Sequence, residues 1–448
     1  MTFDRIAEFV LTARDIPESA MEMAALLLMD TVGVAAGAAG MEAGRIARDH
    51  AFNFHAAGAS EHAAQMIFDG RPASIPGAAF AAATGIDNLD AHDGYNPTKG
   101  HIGCAVVPAL FAFAEARPEM SARDAICALV MAYEISARAG IALHASVADY
   151  HTSGAWNALG VAALGCRLRA ASPDALRQAL GIAEYHGPRS QMMREIANPT
   201  MLHDGSGMGA LIGSMAVMMA QAGFTGAPAL TVEADDAGAH WSDLDHVWTI
   251  EQNYIKPYPI CRWAHAALDA LSELKAAHGF SPQEIATIDV HVFAQSAALF
   301  SGMPTTTSQA QYSLHFALAA LLVHGQIGPV QITGAGLSDR EVAALLPRIA
   351  VQEEARHSER FPEGRWSDVT VTLKDGRQLA SGDVNARGGP EAPMGNDEVE
   401  AKFRMMAAAL SEQRITALWQ MHTRLLLPET TFEDIAQLVR APVENTHG

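Results

Sequence analysis

Apolar residues recur at three- and four-residue spacing through Ala20–Ala36, Val106–Ala116, Ala122–Ala142, Ala155–Ala170 and Leu176–Glu184. That period places them on one face of a helix and predicts five helices over these stretches. Ser121 with Asp124, and Ser172-Pro173-Asp174, are helix-start signals. Alanine is abundant in these segments, which favours close helix packing. Strand signals are weak as far as about residue 270.

The period changes near Phe280. Ile285, Ile288, Val290 and Val292 partly alternate, and Val369, Val371 and Leu373 alternate fully within Trp366–Leu373. Both stretches predict strands. Asp375-Gly376 predicts a tight turn, with Leu379 to Val384 as the returning strand. Helical spacing returns at Tyr312–Leu322 and Asp339–Leu346. The Gly388-Gly389-Pro390 run that leads to Gly395 is strong punctuation, and Asp397–Leu410 and Ile415–Leu426 then read as helices. The expected fold is therefore mainly α: a large all-helical domain over residues 1–266 and 396–448, and a smaller α+β domain over 267–395.

Composition narrows the function classes. The chain has 448 residues, a length that suits two or three domains. It carries 30 Lys and Arg against 50 Asp and Glu, a formal net charge of −20. Nucleic acid and anionic membrane surfaces are poor partners for such a chain. Cys104, Cys127, Cys166 and Cys261 are irregularly spaced, and none makes a C-x-x-C pair. A disulfide framework, a zinc knuckle and a cysteine-bound cluster are thereby disfavoured, and no metal or organic cofactor is expected. Residues 205–232 contain no charge and carry Gly205, Gly209 and Gly213 at four-residue spacing, a helix-dimer pattern in membranes. Without a flanking basic cluster, a helix buried in a large domain is the better reading. The N-terminus lacks a signal peptide's apolar core, and a cytoplasmic location is expected.

Polar residues gather in a few loops. These are Asp90-Ala91-His92-Asp93 with Lys99-Gly100-His101, then Tyr150-His151-Thr152-Ser153-Gly154, then Lys256-Pro257-Tyr258-Pro259-Ile260-Cys261-Arg262-Trp263-Ala264-His265, and more weakly Met201-Leu202-His203-Asp204-Gly205. Asp90 and Asp93 equally suit helix caps, and Lys256 and Arg262 suit ordinary surface charges. The scarcity of cations favours the other reading: loops that hold His, Lys and Arg together supply local positive charge for a carboxylate ligand. Phosphate-loop, dinucleotide, H-E-x-x-H and G-x-S-x-G patterns are all absent.

The same segments resemble the MmgE/PrpD family. Leu89-Asp90-Ala91-His92-Asp93 is similar to its L-D-x-D-D loop, Tyr150-His151-Thr152-Ser153-Gly154 to H-P-T-G, and Lys256–His265 to K-P-Y-P-x-C-R-x-x-H, the most specific of these. The resemblance covers nearly the whole chain. It implies a helical domain built from both chain ends with an α+β lid, a homodimer, and an inter-domain active site. By matching position it implies Asp93, His101, His151, Lys256 and His265 as site residues. Asp93, His101, His151 and Lys256 are the catalytic candidates, and Arg262, His265, His203 and Thr152 the substrate-binding ones.

Two positions depart from the family pattern. Thr200 stands where the family has Lys, and Phe316 where dehydratases and decarboxylases of the family often have Tyr. Each reaction of the group begins beside a carboxylate: dehydration removes a proton and needs an acid for the departing hydroxide, decarboxylation loses CO2 and protonates the carbon left behind, and epimerisation asks least of the site, a base on one face and an acid on the other. The expectation is an epimerase of a small amino-dicarboxylate, iminodisuccinate. The alternatives are a 2-methylcitrate-type dehydratase and a non-catalytic dicarboxylate-binding member.

Overall fold

A computed structural model describes residues 2–443. The protein is mainly α, with few strands. Two compact units divide it: the described residues of Met1–Met192, Leu202–Ile255 and Gly395–Gly448, and those of Met193–Met201 and Lys256–Met394. The expected partition puts residues 256–266 and 193–201 on the other side. Their ties are long-range and leave no periodic trace in the sequence. Arg262 donates to the carbonyls of Ala386 (2.9 Å) and Arg387 (2.7 Å), and Cys261 N to that of Gln311 (2.9 Å). Ser308 Oγ donates to the Thr200 carbonyl at 2.6 Å.

The first unit is built on the predicted helices, which run Glu18–Ala38, Gly103–Ala114, Ala122–Ser146, Gly154–Leu168 and Pro173–His186. Ser121 and Ser172 start two of them, their hydroxyls accepting from Asp124 N (3.0 Å) and Ala175 N (3.1 Å). Such a cap satisfies a donor the helix itself cannot. The unit is not entirely helical. Ala63–Gln65 pairs with Pro72–Ser74, and Gly94–Tyr95 with Asn253–Tyr254, both antiparallel. Gly94 is required there, because a Cβ would collide with the Tyr254 ring.

Two helices, Glu18–Ala38 and Ala122–Ser146, are long and apolar enough to cross a membrane, but 83% and 89% of their apolar windows are buried inside the protein. The glycine stripe is likewise an internal packing face. It lies at the start and along one side of the helix Ser206–Gln221. A Cβ on Gly209 would sit 2.8 Å from the Gly154 carbonyl oxygen, and one on Gly213 2.5 Å from that of Ala158. The neighbours are backbone and cannot swing aside. Gly209→Val therefore costs about 1–3 kcal/mol or more by overpacking, and its thermal midpoint, followed by circular dichroism, falls by several degrees. An unchanged midpoint would show that the helices separate freely at this point.

In the second unit the strands Ile285–Val292 and Trp366–Leu373 pair antiparallel, with Val290 opposite Val369 and Ile288 opposite Val371. Their inward residues are buried, and the helix His265–His278 packs against the strand Trp366–Leu373 and buries Leu268, Leu271 and Leu274. Each such aliphatic side chain contributes roughly 1.5–3 kcal/mol on burial. One strand has no counterpart in the sequence reading. Ile349–Glu353 pairs parallel to Ile285–Val292 at the sheet edge. Of its five residues Ile349 alone is buried, so it shows no alternation. The returning strand is broken into Gln378–Ala380 and Val384–Asn385. Between them Gly382 takes φ +70°, and the Ser381 hydroxyl occupies the Val369 amide (3.0 Å).

Candidate active site

The helix Ile75–Leu89 ends on Asp90, which adopts the left-handed conformation at φ +54°. Asp and Asn tolerate this region better than most side chains. The reversal turns residues 91–93 back into the protein, where the Asp93 side chain is completely buried and its Oδ2 accepts from Gly103 N, the first amide of the helix Gly103–Ala114, at 3.4 Å. The Asp93 carboxyl is pushed up to about 7, first by burial and then by the negative charge of Asp30, against the pull of the Gly103 amide, the Tyr133 hydroxyl and the Lys402 ammonium. Gly103 must be glycine here, since a Cβ would collide with the Asp93 carboxyl and the Tyr133 hydroxyl.

His101 lies across the loop from Asp93. Its Nδ1 is 2.6 Å from the Asp93 carbonyl oxygen. A carbonyl only accepts, so Nδ1 carries the proton and the neutral ring presents Nε2 as its basic nitrogen. Nε2 lies 3.7 Å from Asp204 Oδ2. The backbone around His101 is pinned from both sides: its amide donates to Ser153 Oγ (3.0 Å) and its carbonyl accepts from Asn157 Nδ2 (2.8 Å). Ser153 Oγ in turn donates to Asp204 Oδ1 at 2.7 Å. The His92 ring meets the His101 ring edge-on, with centroids 4.4 Å apart.

Beside this pair, Asp87 accepts from Ser206 N (3.0 Å) and Ser206 Oγ (3.2 Å), and the Cys104 thiol is 3.2 Å from the same hydroxyl. Burial, together with nearby carboxylates, pushes both the Asp87 carboxyl and the Cys104 thiol well up. Two groups bring one ligand atom per residue within 4.8 Å of one another: Asp87, His92 and Cys104, and Asp90, His92 and His101. Among the described residues of this unit, these are the groups that could hold a metal ion. The Ser206 hydrogen bonds to Asp87 and Cys104 suit the protonated thiol better than a ligating thiolate.

His151 is placed apart from this network. Its amide donates to His144 Nε2 (3.3 Å), and among the described residues it makes no hydrogen bond to Asp93 or His101. Burial, with the charges of Lys99 and His151, lowers His144 to about 4. Thr152 is tied to the backbone, its amide to Ser190 O at 2.9 Å and its hydroxyl to Pro188 O at 3.4 Å. His203 is buried next to Asp204.

Lys256, Arg262 and His265 belong to the second unit, and none is a surface charge. Lys256 and His265 are fully buried, and Arg262 nearly so. The ten-residue segment is a folded knot of hydrogen bonds. His265 Nε2 donates to the Ile260 carbonyl at 2.9 Å, and its Nδ1 faces Arg262 Nη1 at 3.4 Å. Tyr258 OH donates to Asp269 Oδ1 at 3.1 Å, and Asp269 Oδ2 accepts from Arg387 N at 3.0 Å. Arg262, expected to hold substrate, spends Nη1 and Nη2 on two backbone carbonyls. Phe316 is completely buried on the helix Leu314–His324, whose cap Ser313 accepts from Phe316 N at 3.2 Å. Thr200 is exposed.

The sequence carries two family domains end to end. The model of the MmgE/PrpD N-terminal domain matches residues 4–248, and that of the MmgE/PrpD C-terminal domain matches residues 258–425. The chain belongs to the MmgE/PrpD family. A human relative, cis-aconitate decarboxylase, is 24% identical over 358 residues, covering 74% of this chain and 73% of that protein. In this MmgE/PrpD protein the Asp90–Asp93 and His101 loops fall within the N-terminal domain match, and the segment from Tyr258 to His265 opens the C-terminal one. Sequence reading passed over Asp87, Tyr133 and Lys402. The legible signal was a charged residue at a core position. Lys402 is spaced three, one and four residues from the apolar Val399, Phe403 and Met406, all buried.

Proposed function

We propose that the protein moves a proton at a carbon next to a carboxylate of a small di- or tricarboxylate, with His101 as the base. The observation that carries this is the 2.6 Å bond from His101 Nδ1 to the Asp93 carbonyl, which fixes the tautomer and leaves Nε2 to take the proton. Asp93, held near neutrality, and Lys256 are the further acid–base groups of this reading. Among reactions of this kind, epimerisation of an amino-dicarboxylate such as iminodisuccinate is the finer reading. It is supported by Thr200 and Phe316, which supply neither the cation nor the phenol found in family dehydratases and decarboxylases. A lyase reaction is the second reading, favoured by the likeness to cis-aconitate decarboxylase.

One experiment separates them. Candidate di- and tricarboxylates are incubated with the protein in D2O and followed by proton NMR and chiral chromatography. Epimerisation places deuterium beside the carboxylate and brings either stereoisomer to the same mixture without loss of water or CO2. Conversion of 2-methylcitrate to an unsaturated acid, or release of CO2 from an unsaturated tricarboxylate, would replace this reading with the lyase. Binding without any turnover would leave a non-catalytic carboxylate-binding protein.

A further inference from the structure

The loop that carries Asp93 is tied to the far end of the chain. Lys402 lies on the helix Asn396–Met406 and is almost completely buried. Its Nζ is 2.6 Å from Asp30 Oδ1 and donates to the Ala91 carbonyl at 2.7 Å. One ammonium therefore joins three segments: the helix Glu18–Ala38, the 90–93 loop and the helix Asn396–Met406. A buried lysine at such a position carries a large desolvation cost, so a purely space-filling role would be better served by an apolar side chain.

The geometry of the tie is fixed by close packing. Asp30, Gly33 and Gly37 share one face of the helix Glu18–Ala38. A Cβ on Gly33 would sit 2.6 Å from the Phe403 ring, and one on Gly37 2.7 Å from the Met406 carbonyl oxygen. The two helices meet backbone to side chain along that face, so Lys402 has little room to shift. Two residues beyond Ala91 stands Asp93, whose carbonyl orients His101. The carboxyl of Asp93 is faced by Asp30 from the first of these helices, Lys402 from the second, Tyr133 from the helix Ala122–Ser146, and Cys104 and the Gly103 amide from the helix Gly103–Ala114.

We propose that Lys402, seated beside Asp30, is a positioning device: it holds the 90–93 loop so that the Asp93 carbonyl fixes the His101 tautomer. The catalytic consequence rests on the proton-transfer reading above; the structural consequence does not. The test uses the full chain in two variants, Asp30→Asn and the double variant Lys402→Met with Asp30→Asn. The double variant strands no buried charge, so it keeps the fold, as a thermal melt verifies.

Two quantities are read: the His101 tautomer by 15N NMR and steady-state exchange kinetics. In Asp30→Asn the Lys402 bond to the Ala91 carbonyl is retained, and His101 keeps its single Nδ1–H tautomer. In the double variant the loop tie is gone, so His101 shows a mixture of tautomers, and kcat falls about tenfold or more while KM stays within about twofold. A double variant with a single Nδ1–H tautomer and native kcat would overturn the proposal, as would a tautomer mixture in Asp30→Asn, where the Lys402 bond to the Ala91 carbonyl is retained. The NMR readout needs no substrate. Absence of exchange in the unaltered protein would therefore sink the functional reading while leaving this one to be decided on its own.

Discussion

His101→Asn lowers kcat by at least about two orders of magnitude and leaves KM within a few-fold. Asparagine is the informative replacement because its Nδ2 falls close to the position of the imidazole Nδ1. It keeps a donor toward the Asp93 carbonyl, now 2.6 Å from Nδ1. It removes Nε2, the nitrogen assigned to the proton. The amide and carbonyl of residue 101 keep their bonds to Ser153 and Asn157, since both are backbone groups. The fold and the loop are thus preserved while the base is lost, and a thermal melt close to that of the unaltered protein accompanies the loss. Steady-state kinetics on the substrate found by deuterium exchange make the measurement. Turnover within threefold of the unaltered protein would remove His101 from the chemistry and shift attention to His151.

Lys256→Met is expected to lose proton exchange by at least about two orders of magnitude as well. Methionine matches the unbranched stem of lysine and fills comparable space. Lys256 is fully buried, which makes this substitution a sterner test of stability than a solvent-facing lysine would be. Removing one partner from a buried charged contact leaves the other exposed to a poor medium. The variant is therefore examined by thermal melt alongside the exchange assay. A folded Lys256→Met protein with near-native exchange would exclude Lys256 as an acid or base. A folded protein with lost exchange supports the role.

The helical core was legible because its period is local. The five helices read from three- and four-residue spacing all form, each within a few residues of its expected ends. The same reasoning explains the failures. Ile349–Glu353 is a short edge strand with a single buried residue, so no alternation marks it. The returning strand breaks where a serine hydroxyl replaces a ladder partner, a long-range event that spacing does not encode. The polar loops were legible as unusual composition, but their internal wiring was not. Nothing in K-P-Y-P-I-C-R-W-A-H says that the arginine faces backbone carbonyls and the histidine bonds to Ile260. Asp30 and Lys402 are far apart in the chain, and a pairing across that separation leaves no trace in either neighbourhood.

That separation has a consequence for synthesis. The ammonium that holds the Ala91 carbonyl is encoded 311 residues downstream of it. At about 5–20 residues per second, the ribosome takes roughly 15–60 seconds to supply it. During that interval the whole second unit emerges, while the first helices wait with the buried Asp30 carboxyl lacking its counter-ion. The order of maturation is thus the reverse of the order of translation for the Asp90–Asp93 loop: it is among the early segments made and among the last to be locked. A nascent chain halted before residue 402 is expected to expose this loop to protease, and release of the finished helix Asn396–Met406 to protect it.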